Sequence, residues 1–313
     1  MIVTMQATTS AAVSTRLARV REAGGVSALG RVLTLVIVAG SEDVVDRAVR
    51  AADGASREHP CRIIVLLPTG ASGPAQLDAQ IRVGGETGAS EVIILQASGD
   101  AALEPDTLVI PLLLADAPVV AWWPDSPPAS PSTHPVGAMA QRRITDVTAS
   151  AEPFAGLHRL KDGYAPGDTD LAWSRVTLWR GLLAAALDEP PHEPVTAVRV
   201  SGAHERPSVH MLAAWLAERL GVPTEVRAEA CEAITMVELE RASGTIRLRR
   251  EPGSSVAMLT RPGRPDQRIN LPLRSVEDCL IEELRRLDPD QVYGRALTAG
   301  LSALEVPSTL EAP

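Results

Sequence analysis

Aromatic side chains are scarce in this chain: one phenylalanine and two tyrosines accompany five tryptophans among 313 residues. The core must therefore be built mainly from Leu, Val, Ile and Ala. Cysteine is nearly as rare, and Cys61, Cys231 and Cys279 are far apart and odd in number. That argues against a disulfide framework and makes reduced core thiols the expectation. A bilayer-spanning run is missing too, because Pro111, Asp116 and Pro118 interrupt the most apolar window, 108–123. The opening MIVTMQATTS lacks a charged segment followed by an apolar one. A cytoplasmic protein with no membrane partner is expected. A basic excess is likewise absent: 30 Lys and Arg against 39 Asp and Glu give a net charge of −9 and a pI near 5.3. This balance speaks against a nucleic-acid partner. The cluster Arg247-Leu248-Arg249-Arg250 reads as the solvated face of a strand.

Catalytic signatures are missing as well. Gly84-Gly85-Glu86-Thr87-Gly88-Ala89 has no following Lys-Ser/Thr and cannot build a phosphate loop. The first strand is followed by one glycine, in Ala39-Gly40-Ser41, so a nicotinamide site has no support. There is no HExxH, and His204 and His210 have no acidic or cysteine partner at ligand spacing. A GxSxG elbow is also lacking. Glu282-Glu283 beside Arg285-Arg286 reads as a salt-bridged, solvated helix face. No catalytic residue, metal or cofactor is expected. One turn offers an anion site: Gly202, His204, Arg206 and Ser208 lie between a strand and a helix whose N-terminus can hold negative charge.

What the chain does contain is alternating strand and helix signals. Thr8–Glu22 carries Val13, Leu17 and Val20 at helical spacing before Gly24-Gly25. Val32–Val38 and Cys61–Leu67 are continuous apolar runs, expected as strands buried on both faces. A helix from Glu42, capped by Ser41, joins them into a βαβ unit with a parallel pair. Gln76–Val83 alternates apolar and polar residues, Ser90–Gln96 and Val119–Trp123 are strand-like, and Pro105–Leu114 reads as a helix. After a Pro- and Ser-rich loop, Asp168–Leu187 reads as one helix ending before Pro190-Pro191. The last third gives a strand at Val195–Val200, a helix at Ser208–Leu220 closed by Gly221, and strands at Ile234–Leu239, Gly244–Leu248, Val256–Thr260 and Arg268–Leu273. Ser275 then caps a helix with Cys279 on its buried face. The expected architecture is two α/β units. An N-terminal mixed-sheet three-layer sandwich (1–150) joins a smaller C-terminal α/β unit (193–313) through a helical connector (151–192).

Trp122 and Trp123 end the most apolar stretch, and Arg142-Arg143 follow in a polar block. Tryptophan and arginine are the residues most often found at interface hot spots. Trp122, Trp123, Arg142, Arg143, Trp173, Trp179 and Arg180 are accordingly expected to form a partner-binding patch. Six ordered blocks carry a family resemblance: RVLTLVIV (31–38), REHPCRIIV (57–65), LDAQIRVGGETGASEVIIL (77–95), VIPLLLADAPVVAWWP (109–124), AQRRITD (140–146) and PGDTDLAWSRVTLWRGLL (166–183). Together they resemble the actinobacterial glucose-6-phosphate dehydrogenase assembly protein family, OpcA. The resemblance implies a non-catalytic activator of that dehydrogenase in the oxidative pentose phosphate pathway, with the dehydrogenase as its protein partner. It also implies a redox link through cysteines in cyanobacterial relatives, yet the three cysteines here form no CxxC. Two alternatives stand beside it: a sugar-phosphate enzyme or metabolite sensor using the turn at 201–208, and a scaffold without kinetic effect.

Overall fold

The computed structural model describes residues 1–24, 30–70, 72–84 and 91–305. The glycine-rich turn that begins at Gly84 lies outside these from residue 85 to 90. The chain divides into two compact units that interleave in sequence. The first holds Met1–Ala151, Gly167–Leu171 and Val276–Pro289; the second holds Glu152–Pro166, Ala172–Ser275 and Asp290–Pro313. This differs from the linear division expected above, since residues 151–192 form no unit of their own.

In the first unit, eight strands form one mixed sheet. They are β1 (Ile2–Met5), β2 (Leu33–Val38), β3 (Cys61–Pro68), β4 (Gln76–Val83), β5 (Glu91–Ser98), β6 (Val119–Trp123), β7 (Arg142–Thr145) and β8 (Asp168–Asp170). Their order is β1-β4-β5-β3-β2-β6-β7-β8. Strands β5, β3, β2, β6, β7 and β8 are parallel, and β4 and β1 close one side antiparallel. The apolar runs of β2 and β3 are explained by two covered faces. Leu33, Leu35, Ile37, Cys61, Ile63 and Val65 share one core with the helices Glu42–Ala55 and Val276–Arg285. Val36, Ile64 and Leu66 share the opposite core with Val13, Leu17 and Val20 of the helix Ser10–Gly24. Helices on both faces make the three-layer sandwich expected from sequence. The helices Glu42–Ala55 and Val276–Arg285 approach closely at Gly54, where a Cβ would lie 2.2 Å from the Glu277 carboxyl carbon.

Polar side chains are also built into this unit. Glu91, fully buried at the start of β5, receives Arg21, Arg31 and Arg62, with Arg62 Nε donating at 2.9 Å. Burial by itself would raise its pKa. The hydrogen bond from Arg21 and the charges of Arg62 and Arg31 outweigh burial and hold the carboxyl below its ordinary range.

The second unit has a six-stranded sheet: β9 (Ala197–Gly202), β10 (Thr224–Ala228), β11 (Ile234–Glu240), β12 (Ile246–Arg250), β13 (Val256–Thr260) and β14 (Gln267–Asn270). The order is β10-β9-β11-β12-β13-β14, with β9 and β10 parallel and the remaining pairs antiparallel. The helix Pro207–Leu220 links β9 to β10 and ends at Gly221 with φ +63°, a conformation glycine adopts without a Cβ penalty. Val198, Val200, Val237, Leu239, Ile246, Leu248 and Leu259 alternate along the buried face. Arg199, Arg247, Arg249 and Met258 point the other way.

Four of the expectations are not met. Pro111 cuts the helix Pro105–Val109 short, and a single tighter turn, Ile110–Leu112, follows it. Residues 168–187 are not one helix but strand β8, the short helix Leu171–Ser174 and the helix Thr177–Leu187. Strand β8 buries two aspartates that find partners 23 to 25 residues earlier: Asp168 pairs with Arg143, and Asp170 accepts Thr145 Oγ1 (2.6 Å) and Val147 N–H (3.0 Å). Glu283, expected on a solvated helix face, is 4% exposed. Ser41 makes no side-chain cap at the helix Glu42–Ala55.

Candidate functional site

Strand β6 carries Trp122 and Trp123 through the middle of the first unit, and alternation sends them to opposite faces. Trp122 joins the core under the helices Glu42–Ala55 and Val276–Arg285; Trp123 joins the other. Each indole is 1% exposed. The Trp123 ring meets His134 edge-on at 5.3 Å between centroids. It also requires Gly137, where a Cβ would stand 3.2 Å from the ring and 1.8 Å from the Pro131 carbonyl oxygen. Neither indole is therefore a surface anchor. A neighbouring strand and two helix layers cover both.

Arg142 and Arg143 sit side by side on β7 and likewise diverge. Arg142 donates to the Glu283 carboxylate and, at 2.9 Å, to the Asp288 carbonyl. Arg143 donates to Asp168 and, at 3.0 Å, to the Ala140 carbonyl. At Gly167 a Cβ would lie 2.8 Å from an Arg143 guanidinium nitrogen, so this approach needs glycine. Both guanidinium groups are buried, at 4% and 8% exposure. They act as internal cross-links from β7 to the helix Val276–Arg285 and to β8. The patch expected from sequence is corrected on this point, because a buried, paired arginine offers no surface to a partner.

In the second unit Trp173 donates its indole N–H to Asp290 at 2.8 Å, and the Arg180 guanidinium lies 3.5 Å over its ring. Asp290 also accepts the N–H groups of Val292 and Tyr293, capping the helix Gln291–Arg295. Trp179 is 2% exposed, on the same inward face of the helix Thr177–Leu187 as Leu183 and Ala186. The structure thus brings Trp173 and Arg180 together and leaves Trp179 in the core.

Of the residues expected at this turn, Gly202 ends β9, His204 and Arg206 lie in the turn, and Ser208 is in the first turn of the helix Pro207–Leu220. Arg206 is the N-cap, with no side-chain cap bond, and Pro207 removes one of the free N–H groups. Gly202 is held by packing: a Cβ there would lie 2.7 Å from the Ala233 carbonyl oxygen. Much of the turn rests on rings. Phe154 lies 4.6 Å from His158 and 4.7 Å from His210, and His204 lies 5.1 Å from His210. His210 Nε2 contacts the His204 carbonyl at 2.6 Å. Burial pushes the His210 pKa down, so the neutral ring is favoured.

Two further places in the first unit were not legible in the sequence. Open α/β sheets bind ligands where the strand order reverses, beyond the carboxyl ends of the central strands. Here that crevice lies between β2 and β6 and holds Asp125. Its carboxylate accepts the Gly40 N–H at 3.3 Å and the Ser126 hydroxyl at 3.2 Å. A Cβ at Gly40 would lie 2.6 Å from it, so the position suited to a phosphate carries the protein's own negative charge. Beside β4 and β5 a cavity of about 320 Å³ is lined by Glu42, Asp46, Asp78, Gln80, Arg82 and Gln96 among others. Three carboxylates against one guanidinium make it a poor site for an anion. Among the described residues no group of three His, Cys, Asp or Glu is placed to hold a metal ion. None of the three cysteines is in a disulfide: Cys61 and Cys279 are buried, and Cys231 is half-buried outside the core. Burial pushes the Cys61 thiol up to about 12.

Sequence comparison adds the family. Two profiles, both described as domains of a "Glucose-6-phosphate dehydrogenase subunit", match in order: the N-terminal domain over residues 52–162 and the C-terminal domain over residues 166–297. A curated relative, the "Putative OxPP cycle protein OpcA" of Nostoc punctiforme, is 31% identical over 187 residues. That match covers 55% of this chain and 40% of the relative, so the chain spans less than half of the relative's length. Among solved structures, one titled "Trehalose-6-phosphate from E. coli bound with UDP-2-fluoro glucose" is 11% identical, covers 63% of this chain and 65% of its own, and has a TM-score of 0.25. A likeness that weak carries no argument. No helix among the described residues is long and apolar enough to cross a membrane. The two domain profiles fall in order along most of the sequence, and with the Nostoc relative they show that the chain belongs to the OpcA family of glucose-6-phosphate dehydrogenase assembly proteins.

Proposed function

We propose that this chain is a non-catalytic, cytoplasmic assembly factor and activator of glucose-6-phosphate dehydrogenase in the oxidative pentose phosphate pathway. The observation that carries the reading is the ordered match of both domain profiles of the dehydrogenase assembly family. One feature of the first unit agrees with it: the strand-reversal crevice is occupied by Asp125 rather than by a phosphate-binding cradle.

The mechanism is one of linkage. A protein that binds one oligomeric or conformational state of its partner raises the population of that state by mass action, in proportion to the difference in affinity. The chain supplies no reacting group to the dehydrogenase; it alters how much of the enzyme is competent. The test measures dehydrogenase rate constants and native mass with and without this chain, across a range of molar ratios. A rise in kcat or a fall in KM, saturating at a fixed ratio and accompanied by a heavier species, is the expected result. Unchanged rate constants and an unchanged mass distribution refute the reading. Glucose 6-phosphate titrated into the chain alone separates it from a metabolite sensor acting through Arg206 and His204, which predicts saturable binding.

A further inference from the structure

The open face of the second unit's sheet carries two adjacent cross-strand rows of different composition. In one, Glu225, Arg199, Glu238 and Arg247 stand directly opposite one another across β10, β9, β11 and β12. Signs alternate along this row, and the groups pair: Arg199 with Glu225 at 3.2 Å, Arg199 with Glu238 at 3.8 Å, and Arg247 with Glu238 at 2.7 Å. A row built this way is electrostatically complete and suits water. The next row reads Met236, Arg249, Met258, Arg268 across β11, β12, β13 and β14. Here the cross-strand neighbours of each arginine are methionines. Among the described residues Arg249 reaches only Glu251, at 3.1 Å, with the two side chains 59% and 66% exposed, a pairing of little energetic weight. Arg268 is exposed and has no carboxylate partner among the described residues. Met258 is one of the large apolar side chains left exposed, at 37%.

From this contrast we infer that the Met236–Arg249–Met258–Arg268 row is the surface that docks the dehydrogenase, and that the partner meets it with an acidic segment. The inference rests on the assembly reading above and adds the contact surface to it. Methionine and arginine are enriched at the centres of protein interfaces, where a flexible thioether fills gaps and a guanidinium forks onto a carboxylate. Neighbouring strands are about 4.8 Å apart, so Arg249 and Arg268, flanking β13, are separated by about 10 Å with Met258 between them. The matching partner surface presents two carboxylates at that spacing around an apolar side chain. Charge complementarity favours this occupant. The chain as a whole carries −9, so an acidic partner is repelled from most of its surface and steered to a strip of reversed sign.

The test uses the full chain and purified dehydrogenase, with affinity measured at low and high salt. Three variants are compared: the double charge reversal Arg249→Glu with Arg268→Glu, the neutral Met258→Gln, and Arg50→Glu on the helix Glu42–Ala55 as a control. The double reversal is expected to weaken binding at least tenfold or so and to remove most of the salt dependence. Met258→Gln should weaken it by about threefold without changing the salt slope. Arg50→Glu should bind as the unaltered chain does. All altered positions face solvent, and equal melting temperatures verify that folding is untouched. If the unaltered chain binds and the double reversal binds equally well, the docking surface is overturned while the assembly reading stands. If the unaltered chain does not bind, both fall. Should the reversal change only self-association of this chain, the occupant is a second copy and the inference fails as stated.

Discussion

Removing the Glu283 carboxylate is the most direct way to test how the interleaved fold is held. Glu283 and Arg142 are 4% and 5% exposed as side chains, and they join the helix Val276–Arg285 to β7 across 141 residues of sequence. In Glu283→Ala the guanidinium stays buried, with the Asp288 carbonyl as a remaining acceptor. Breaking a buried pair from one side costs about 3–5 kcal/mol, because the surviving charge is left uncompensated. A domain stable by about 5–15 kcal/mol would lose roughly a fifth or more of that margin. For a unit of this size each kcal/mol shifts the melting temperature by about 2–4 °C, so a fall of about 10 °C is expected. Urea denaturation followed by tryptophan fluorescence checks it, with the midpoint moving and the slope unchanged. Arg142→Met combined with Glu283→Leu removes both charges and should recover most of the loss. A cost for Glu283→Ala below about 1 kcal/mol, the range of exposed pairs, would refute the reasoning. It would mean that water reaches the pair and that this helix is not seated in the first unit's core.

Arg143→Glu should destabilise the chain by several kcal/mol rather than act as a silent surface change, since it sets a carboxylate against Asp168 in a buried site; a melting curve that overlays the unaltered protein would contradict this. Stability should fall with pH in two windows. His210 and His134 have pKa values pushed below 6.5 by burial, so their neutral forms stabilise the fold fully above 6.5 and less as pH drops toward the lowered values. Glu91, whose pKa lies below 4.5, contributes fully above that value and is lost only in stronger acid. A melting temperature flat from pH 7 to 5, or unaffected in slope by His210→Gln, would rule out the histidine part. Native alkylation should modify Cys231 first and leave Cys61 untouched, because a buried thiol with a pKa near 12 is almost wholly protonated; mass spectrometry of the labelled sites decides. Gly137→Ala should not fold normally, given the 1.8 Å approach to the Pro131 carbonyl; circular dichroism of the purified variant checks it.

Periodicity and local stop signals determined a great deal of this protein. The two-sided apolar runs of β2 and β3, the alternation of β4 and the glycine after Leu220 each report a physical requirement met within a few residues, and the structure honours them. The family blocks were equally legible, being ordered strings. Short or polar strands were not. β1, β8 and β10 have four, three and five residues, too few for a period, and β8 is acidic. Their stability comes from partners elsewhere: Arg143 and Thr145 for the aspartates of β8, and β4 for β1. The same gap explains the arginines. A sequence shows that Arg142 and Arg143 are cationic, but whether a cation faces solvent or a buried carboxylate depends on which strand lies beside it. Glu283 and Asp168 are placed there only by the tertiary fold, because long-range pairing, not local preference, decides where a charge is desolvated and what neutralises it.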